Sequence, residues 1–203
     1  GYLHLIRSGV IKPDKAIAMV PTLARNVDKI VNLVNNILFL QEIELITPKF
    51  EPVLIQGVVT DAAQGLHQKA TEQNLMLKID IAPNLPFVNG DADGLGRAIT
   101  ALLDNAIKFS PQGGEIQVTV KRQNGSLYIE IADPGVGIPE DQLETLFEPF
   151  SRTESVGEYM FSGLGVGLPI AKHVVELHGG SIQAKRRPQG GSKFTITLPV
   201  HIA

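Results

Sequence analysis

Cysteine is absent from this 203-residue chain. That excludes disulfides, thiolate metal sites, iron–sulfur clusters and cysteine nucleophiles. No apolar run approaches the roughly 18 residues that a membrane span needs. No secretory leader is visible at the start. The charge balance is close to even, with 18 Lys and Arg against 21 Asp and Glu for a net −3, so bulk charge does not point to nucleic-acid binding. What is present is ordinary for a globular protein, with 43% apolar and 19% charged residues. At roughly 150 residues per domain the length allows one domain or two small ones. The chain opens on Gly1 rather than Met, which reads as an excerpt of something longer.

Residues 1–46 read as helix. From Lys15 to Ile46 apolar residues recur at alternating steps of three and four, at Val20, Leu23, Val27, Ile30, Val34 and Ile37. That is a heptad seam. Arg25, Asn26, Asp28 and Lys29 fill the other face. Leu3, Ile6 and Val10 give an earlier helix, with a turn from Ser8-Gly9 to Lys12-Pro13-Asp14 and Asp14 as N-cap. Pro21 predicts a kink in the second helix. A hairpin with one apolar seam cannot bury it alone, so a homodimeric four-helix bundle is expected. The competing expectation is that the seam packs on the chain's own C-terminal region.

Thr47-Pro48 ends the helical part. Helix signals then cover 57–74, 91–110 and 163–178. Strand alternation covers 75–81, 115–121, 126–132 and 193–198, with an Asn124-Gly125 hairpin turn between the second and third. This order predicts a two-layer α/β sandwich with helices on one face of a mixed sheet. The expected organisation is thus α+β, a hairpin over 1–46 followed by a sandwich domain over 49–203.

Four segments hold candidate chemistry. Asp133-Pro134-Gly135-Val136-Gly137 follows an apolar strand. A carboxylate at a strand end, with glycines beyond, can hold an amine donor while the backbone passes close; the plain alternative is a tight turn. Gly163-Leu164-Gly165-Val166-Gly167-Leu168 runs into a helix with Pro169 in its first turn. Glycines there expose N–H groups to an anion; the plain alternative is a flexible linker. Leu168 stands where a dinucleotide fingerprint needs glycine, and no phosphate-loop GxxxxGK[ST] occurs. Asp104-Asn105-Ala106-Ile107-Lys108-Phe109 places Asn105 and Lys108 on one helix face. An amide oxygen suits Mg²⁺ and a lysine suits phosphate, unless this is a solvated helix end. Phe147-Glu148-Pro149-Phe150 can anchor a loop to a core.

Taken together and in this order, these segments resemble the catalytic and ATP-binding domain of sensor histidine kinases, members of the Bergerat-fold ATPases. Asn105 to Phe109 resembles the family's N box, and Asp133 to Gly137 its first glycine box. Phe147 to Phe150 resembles its F box, and Gly163 to Leu168 its second glycine box. Residues 49–85 resemble the family only loosely. The resemblance implies that Asp133 accepts the adenine amino hydrogen, while Gly135 and Gly137 let the backbone pass close to the base. It implies that Asn105 holds Mg²⁺, that Lys108 holds phosphate and that Phe109 lies beside the nucleoside. Residues 151–162 become a lid pinned by Phe147 and Phe150. Gly163, Gly165 and Gly167 hinge that lid and present N–H donors to phosphate, with Leu164, Val166 and Leu168 completing this cofactor-binding segment. Arg152 is a further candidate phosphate contact, and Ser192 a support of the adenine pocket through water. The chemistry implied is transfer of the ATP γ-phosphoryl group to a histidine nitrogen, with relay to a response regulator receiver domain. Cofactors are ATP and Mg²⁺. No nucleic acid or direct membrane contact is expected, and the location is cytoplasmic, either free or as the cytoplasmic part of a membrane-bound sensor.

The chain departs from the pattern in two ways. None of His4, His67, His173, His178 and His201 stands in an acceptor motif, so the acceptor is expected upstream and this stretch alone is not expected to phosphorylate itself. Ala101 stands one helical turn before Asn105, where family members carry asparagine and hydrolytic relatives glutamate. Both departures keep open a degenerate, non-catalytic nucleotide-sensing or dimerisation module. A serine-directed kinase of the anti-sigma type is disfavoured by the heptad hairpin. Gly94 and Gly96, near a helix start, weaken that helix by about 1 kcal/mol each. His173 and His178 read as structural.

Overall fold

The computed structural model describes residues 48–148 and 166–200, the backbone alone of 155, 156, 159 and 160, and five helical residues, Val27, Ile30, Val34, Ile37 and Gln41. The expected first helix, the turn with Asp14 and the bend at Pro21 lie outside the described residues. Val27, Ile30, Val34 and Ile37 are 57%, 62%, 48% and 56% exposed. Steps of three and four put them on one helical stripe. None of the described C-terminal residues covers that stripe, so the expectation that it packs on the rest of the chain does not hold for these four.

The elements from residue 51 onward run β1 (Glu51–Val53), α1 (Ile55–Glu72), β2 (Leu75–Ile81), β3 (Val88–Gly90), α2 (Ala92–Lys108), β4 (Gly114–Gln123) and β5 (Ser126–Ala132). After a short 3-10 turn (Glu140–Gln142) come β6 (Ser155–Val156), β7 (Tyr159–Met160), α3 (Gly167–Leu177), β8 (Ser181–Arg186) and β9 (Ser192–Pro199). Five strands form one mixed sheet in the order β2-β4-β5-β9-β8. β2 runs parallel to β4 and every other neighbour is antiparallel. The expected sandwich is therefore present.

Alternation explains the two faces of the sheet. Ile116, Val118 and Val120 of β4, Leu127, Ile129 and Ile131 of β5, and Phe194, Ile196 and Leu198 of β9 are all fully buried. A period of two sends their neighbours to the opposite, solvated face. There Glu130 lies between Lys121 at 3.1 Å and Lys193 at 3.5 Å. The hairpin between β4 and β5 turns on Asn124 (φ 51°) and Gly125 (φ 77°), the left-handed pair that a two-residue loop requires.

The helices cover the apolar face. α2 is central and packs against both α1 and α3. Its buried row is Leu95, Ala98, Ile99, Leu102, Leu103, Ala106 and Ile107, spaced three and four apart. The two glycines early in α2 face the neighbouring helices at ordinary contact distance. A Cβ on Gly94 would lie 3.6 Å from Val174 of α3, and one on Gly96 would lie 3.7 Å from Val58 of α1. The weak helix start thus sits where α2 is packed from both sides.

Lys69 of α1 forms an ion pair with Asp104 of α2, each side chain a little under half exposed. Water screens such pairs to about 1 kcal/mol or less. Lys69→Ala is therefore expected to shift the urea unfolding free energy by less than about 1 kcal/mol. A loss of several kcal/mol would mean that this contact, rather than the apolar row, fixes α1 on α2.

Candidate functional site

The end of β5 delivers Asp133 into the interior, where it is 1% exposed. Its Oδ1 accepts two main-chain hydrogen bonds, from Gly135 N at 2.9 Å and Ser192 N at 3.0 Å. Its own N–H donates to Ser192 O at 3.0 Å. Its carbonyl accepts from the guanidinium of Arg187. Burial pushes the Asp133 carboxyl above the ordinary carboxylate range, against the opposing pull of the Gly135 and Ser192 N–H groups and the Arg187 charge. Among the described residues Oδ2 takes no hydrogen bond. A buried, unpartnered carboxylate oxygen is costly unless a donor completes it.

Close backbone approach explains the glycines. A Cβ on Gly135 would lie 2.1 Å from the carbonyl oxygen of Phe109. Val136 N donates to that same oxygen at 3.0 Å. The loop after β5 is therefore laid directly on the C-terminal end of α2. Gly137 takes a left-handed φ of 77°.

α2 carries the second part of the site. Asn105 and Lys108 are both half-buried. Asn105 O accepts the N–H of Phe109 at 3.0 Å, which closes the helix. The Lys108 ammonium lies 4.7 Å from the centre of the Phe109 ring, within the range of a cation–π contact. Ala101 and Asp104 line a cavity of about 810 Å³ between α1 and α2.

α3 brings the third part. A Cβ on its first residue, Gly167, would lie 3.7 Å from Ala101. The helix start therefore sits beside α2 one turn before Asn105. No side-chain cap bond closes this end, and Pro169 has no N–H to satisfy. The Gly167 and Leu168 N–H groups are thus the donors of its first turn. Phe147 stands edge-on to the buried Phe194 ring, 6.3 Å between centroids and 87° between planes.

The structure thus lays the loop over residues 133–137 on Phe109 at the C-terminal end of α2, which carries Asn105 and Lys108, and sets the Val166-Gly167-Leu168 start of α3 beside Ala101 in the same helix. Gly163, Leu164, Gly165, Phe150 and Arg152 lie outside the described residues. Within the expected lid, the described backbone pairs Ser155 with Met160 and Val156 with Tyr159. Ser192 reaches Asp133 through its backbone N–H at 3.0 Å. Sequence reasoning missed Gly191 and Arg187. A Cβ on Gly191 (φ 80°) would lie 2.0 Å from Asp133 O. The Gly190-Gly191 pair ahead of an alternating strand was the available signal.

The residues fit a nucleotide with a divalent cation. The orphaned Asp133 Oδ2 asks for a buried donor, such as an exocyclic amine. The Asn105 amide oxygen is a hard donor of the kind Mg²⁺ takes. Among the described residues no group of three or more acidic or histidine side chains could hold a metal by itself. The remaining ligands would be phosphate and water oxygens.

Comparison with known proteins places the chain in a family. Residues 90–202 match the family of histidine kinase-, DNA gyrase B- and HSP90-like ATPases. The sensor-like histidine kinase SenX3 of Mycolicibacterium smegmatis is 34% identical over 75% of this chain. The alginate biosynthesis sensor protein KinB of Pseudomonas aeruginosa is 30% identical over 90% of it. The chain spans 39% and 30% of the lengths of these two relatives. The solved structure of the mycobacterial sensor histidine kinase MprB superposes with a TM-score of 0.67 at 31% identity, over 76% of this chain and all of that one. Full-length ShkA in complex with AMPPNP shares the fold, with a TM-score of 0.71 at 24% identity over 93% of this chain and 40% of that one.

Proposed function

The chain belongs to the histidine kinase-, DNA gyrase B- and HSP90-like ATPases, as a sensor histidine kinase catalytic domain, and from that premise we propose that it binds Mg-ATP and transfers the γ-phosphoryl group to a histidine on a dimerisation helix. One observation carries the reading more than any other. The buried Asp133 has one oxygen held by two backbone N–H groups and the other left for a donor. The adenine amino group is that donor. Gly135 and Gly137 let the base lie against the backbone, and Phe109 borders the nucleoside.

Phosphoryl transfer depends mostly on positioning and charge neutralisation. Asn105 would hold the divalent cation, which would supply positive charge to neutralise the phosphates. Lys108 adds a point charge, and the first N–H groups of α3 face the phosphate chain. In the transfer a nitrogen–phosphorus bond forms on the imidazole. The bond from Pγ to its bridging oxygen breaks, and ADP leaves with the electron pair. The imidazole proton passes to water. The acceptor is a histidine of that dimerisation helix, and the phosphoryl group goes on to a response regulator receiver domain. The exposed stripe of Val27, Ile30, Val34 and Ile37 supports a homodimer through residues 1–46, with residues 49–203 as the ATP-binding domain.

Ala101 favours a second reading, a nucleotide-sensing module without transfer. The test is incubation of the full-length protein, acceptor helix included, with labelled ATP and Mg²⁺. Acid-labile, base-stable label is expected, and it should vanish in Asn105→Ala. Bound ATP without label supports the sensing module. Neither label nor ATP binding overturns both.

A further inference from the structure

His178 caps the C-terminal end of α3 and is 5% exposed. Its Nδ1 lies 2.7 Å from Val174 O. A carbonyl only accepts, so Nδ1 carries the hydrogen. Its Nε2 lies 2.8 Å from Asp91 N, the residue that opens α2. A backbone amide only donates, so Nε2 is bare. The two contacts together hold one neutral tautomer. The Phe50 ring lies against the imidazole, 5.1 Å between centroids. A Cβ on Gly90 of β3 would fall 2.7 Å from Cδ2 and 3.0 Å from Nε2, so glycine there gives the ring its seat.

This bond joins the two helices that carry the phosphate side of the site. α2 and α3 lie antiparallel, because Asp91 meets His178 at one end while Ala101 meets Gly167 further along. α3 has 11 residues and is about 16 Å long at 1.5 Å per residue. A shift at the His178 end is passed along a rod of that length to Gly167 and Leu168. Misplacement by about 1 Å can cost a hundredfold in a positioned reaction.

We infer that His178 is a positioning residue for the nucleotide site, its bare Nε2 accepting the Asp91 N–H so that Asn105 and the N-terminus of α3 keep their relative placement. This rests on the nucleotide reading above. The test compares His178→Gln, which places an amide oxygen where Nε2 stands, with His178→Asn, which keeps only a donor toward Val174 O. Two quantities are measured in each folded variant, the affinity for Mg-ATP and the hydrogen-exchange rate of the Asp91 amide. His178→Gln is expected to bind within about threefold of the parent, with Asp91 N–H still protected. His178→Asn is expected to lose tenfold or more, with that amide exchanging quickly. Gly90→Ala, which pushes the ring from its seat, is expected to behave like His178→Asn. Equal affinity in the Gln and Asn variants overturns the inference. The exchange measurement needs no nucleotide. A parent that binds no ATP but shows the exchange pattern therefore removes the nucleotide reading and leaves the clasp.

Discussion

Asp133→Asn is expected to weaken ATP binding by about 10- to 150-fold, the loss of one charge-assisted hydrogen bond of about 1.5–3 kcal/mol. The substitution keeps the shape. An asparagine oxygen can still accept from Gly135 N and Ser192 N, as Oδ1 does now. The other position then carries an NH₂ group facing the adenine amine, donor against donor. Titration calorimetry with Mg-ATP reads the effect, and an unchanged dissociation constant would place the base elsewhere. The same variant carries an opposite stability prediction. Burial raises the folded-state pKa of Asp133. The folded chain therefore holds this proton to higher pH than the unfolded chain does, and stability falls as pH rises through the folded value. Asparagine has no charge to bury. At neutral pH the variant is expected to melt at or above the parent, with the gap closing as the solution is acidified.

Gly191→Ala is expected to cost more than about 3 kcal/mol in urea unfolding, at the severe end for single substitutions. Its Cβ would fall 2.0 Å from Asp133 O, and the residue sits at φ 80°. The obstacle is backbone, which cannot swing aside as a side chain can. Moving it would break the pairing of Asp133 N with Ser192 O. Gly135→Ala meets Phe109 O at 2.1 Å and is expected to behave alike. Gly125 supplies the control. It has a similar φ of 77° but nothing within 4 Å of an added Cβ. Gly125→Ala should therefore show only the left-handed penalty, about 1–2 kcal/mol. If Gly191→Ala costs no more than that, the loop does not approach Asp133 as described.

The contrast between these positions explains what the sequence could and could not show. Leu127, Ile129 and Ile131 alternate cleanly, so β5 and the aspartate at its end were legible. α2 was legible from a buried row that repeats over four turns. β1 and β3 hold three residues each, too few for any period to register. β8 carries only Ile182 and Ala184 among polar neighbours, and it was missed for the same reason. The partners of Asp133 are a different case: the family resemblance points to Ser192, and nothing in the sequence points to Arg187. Ser192 and Arg187 lie 59 and 54 residues further on. They arrive through the register of β5 with β9, which sets Ala132 opposite Lys193. Nothing local encodes that pairing. The partner of His178, Asp91, is 87 residues away, so the sequence shows only a helical histidine with no metal partner.

The strand order has a consequence for self-association. Among the described residues the sheet ends in β2 and β8, whose outer rows of backbone donors and acceptors are the usual template for runaway edge-to-edge stacking. β2 exposes Lys78 and Asp80 along its edge, and β8 exposes Gln183, Lys185 and Arg186. A further strand added to either edge would crowd these hydrated charges. β2 also exposes Met76 and Ile79, 60% and 38% accessible, which makes it the less protected of the two edges. Under the homodimer proposed above, contact between copies is expected at the exposed stripe of Val27, Ile30, Val34 and Ile37 rather than at these borders.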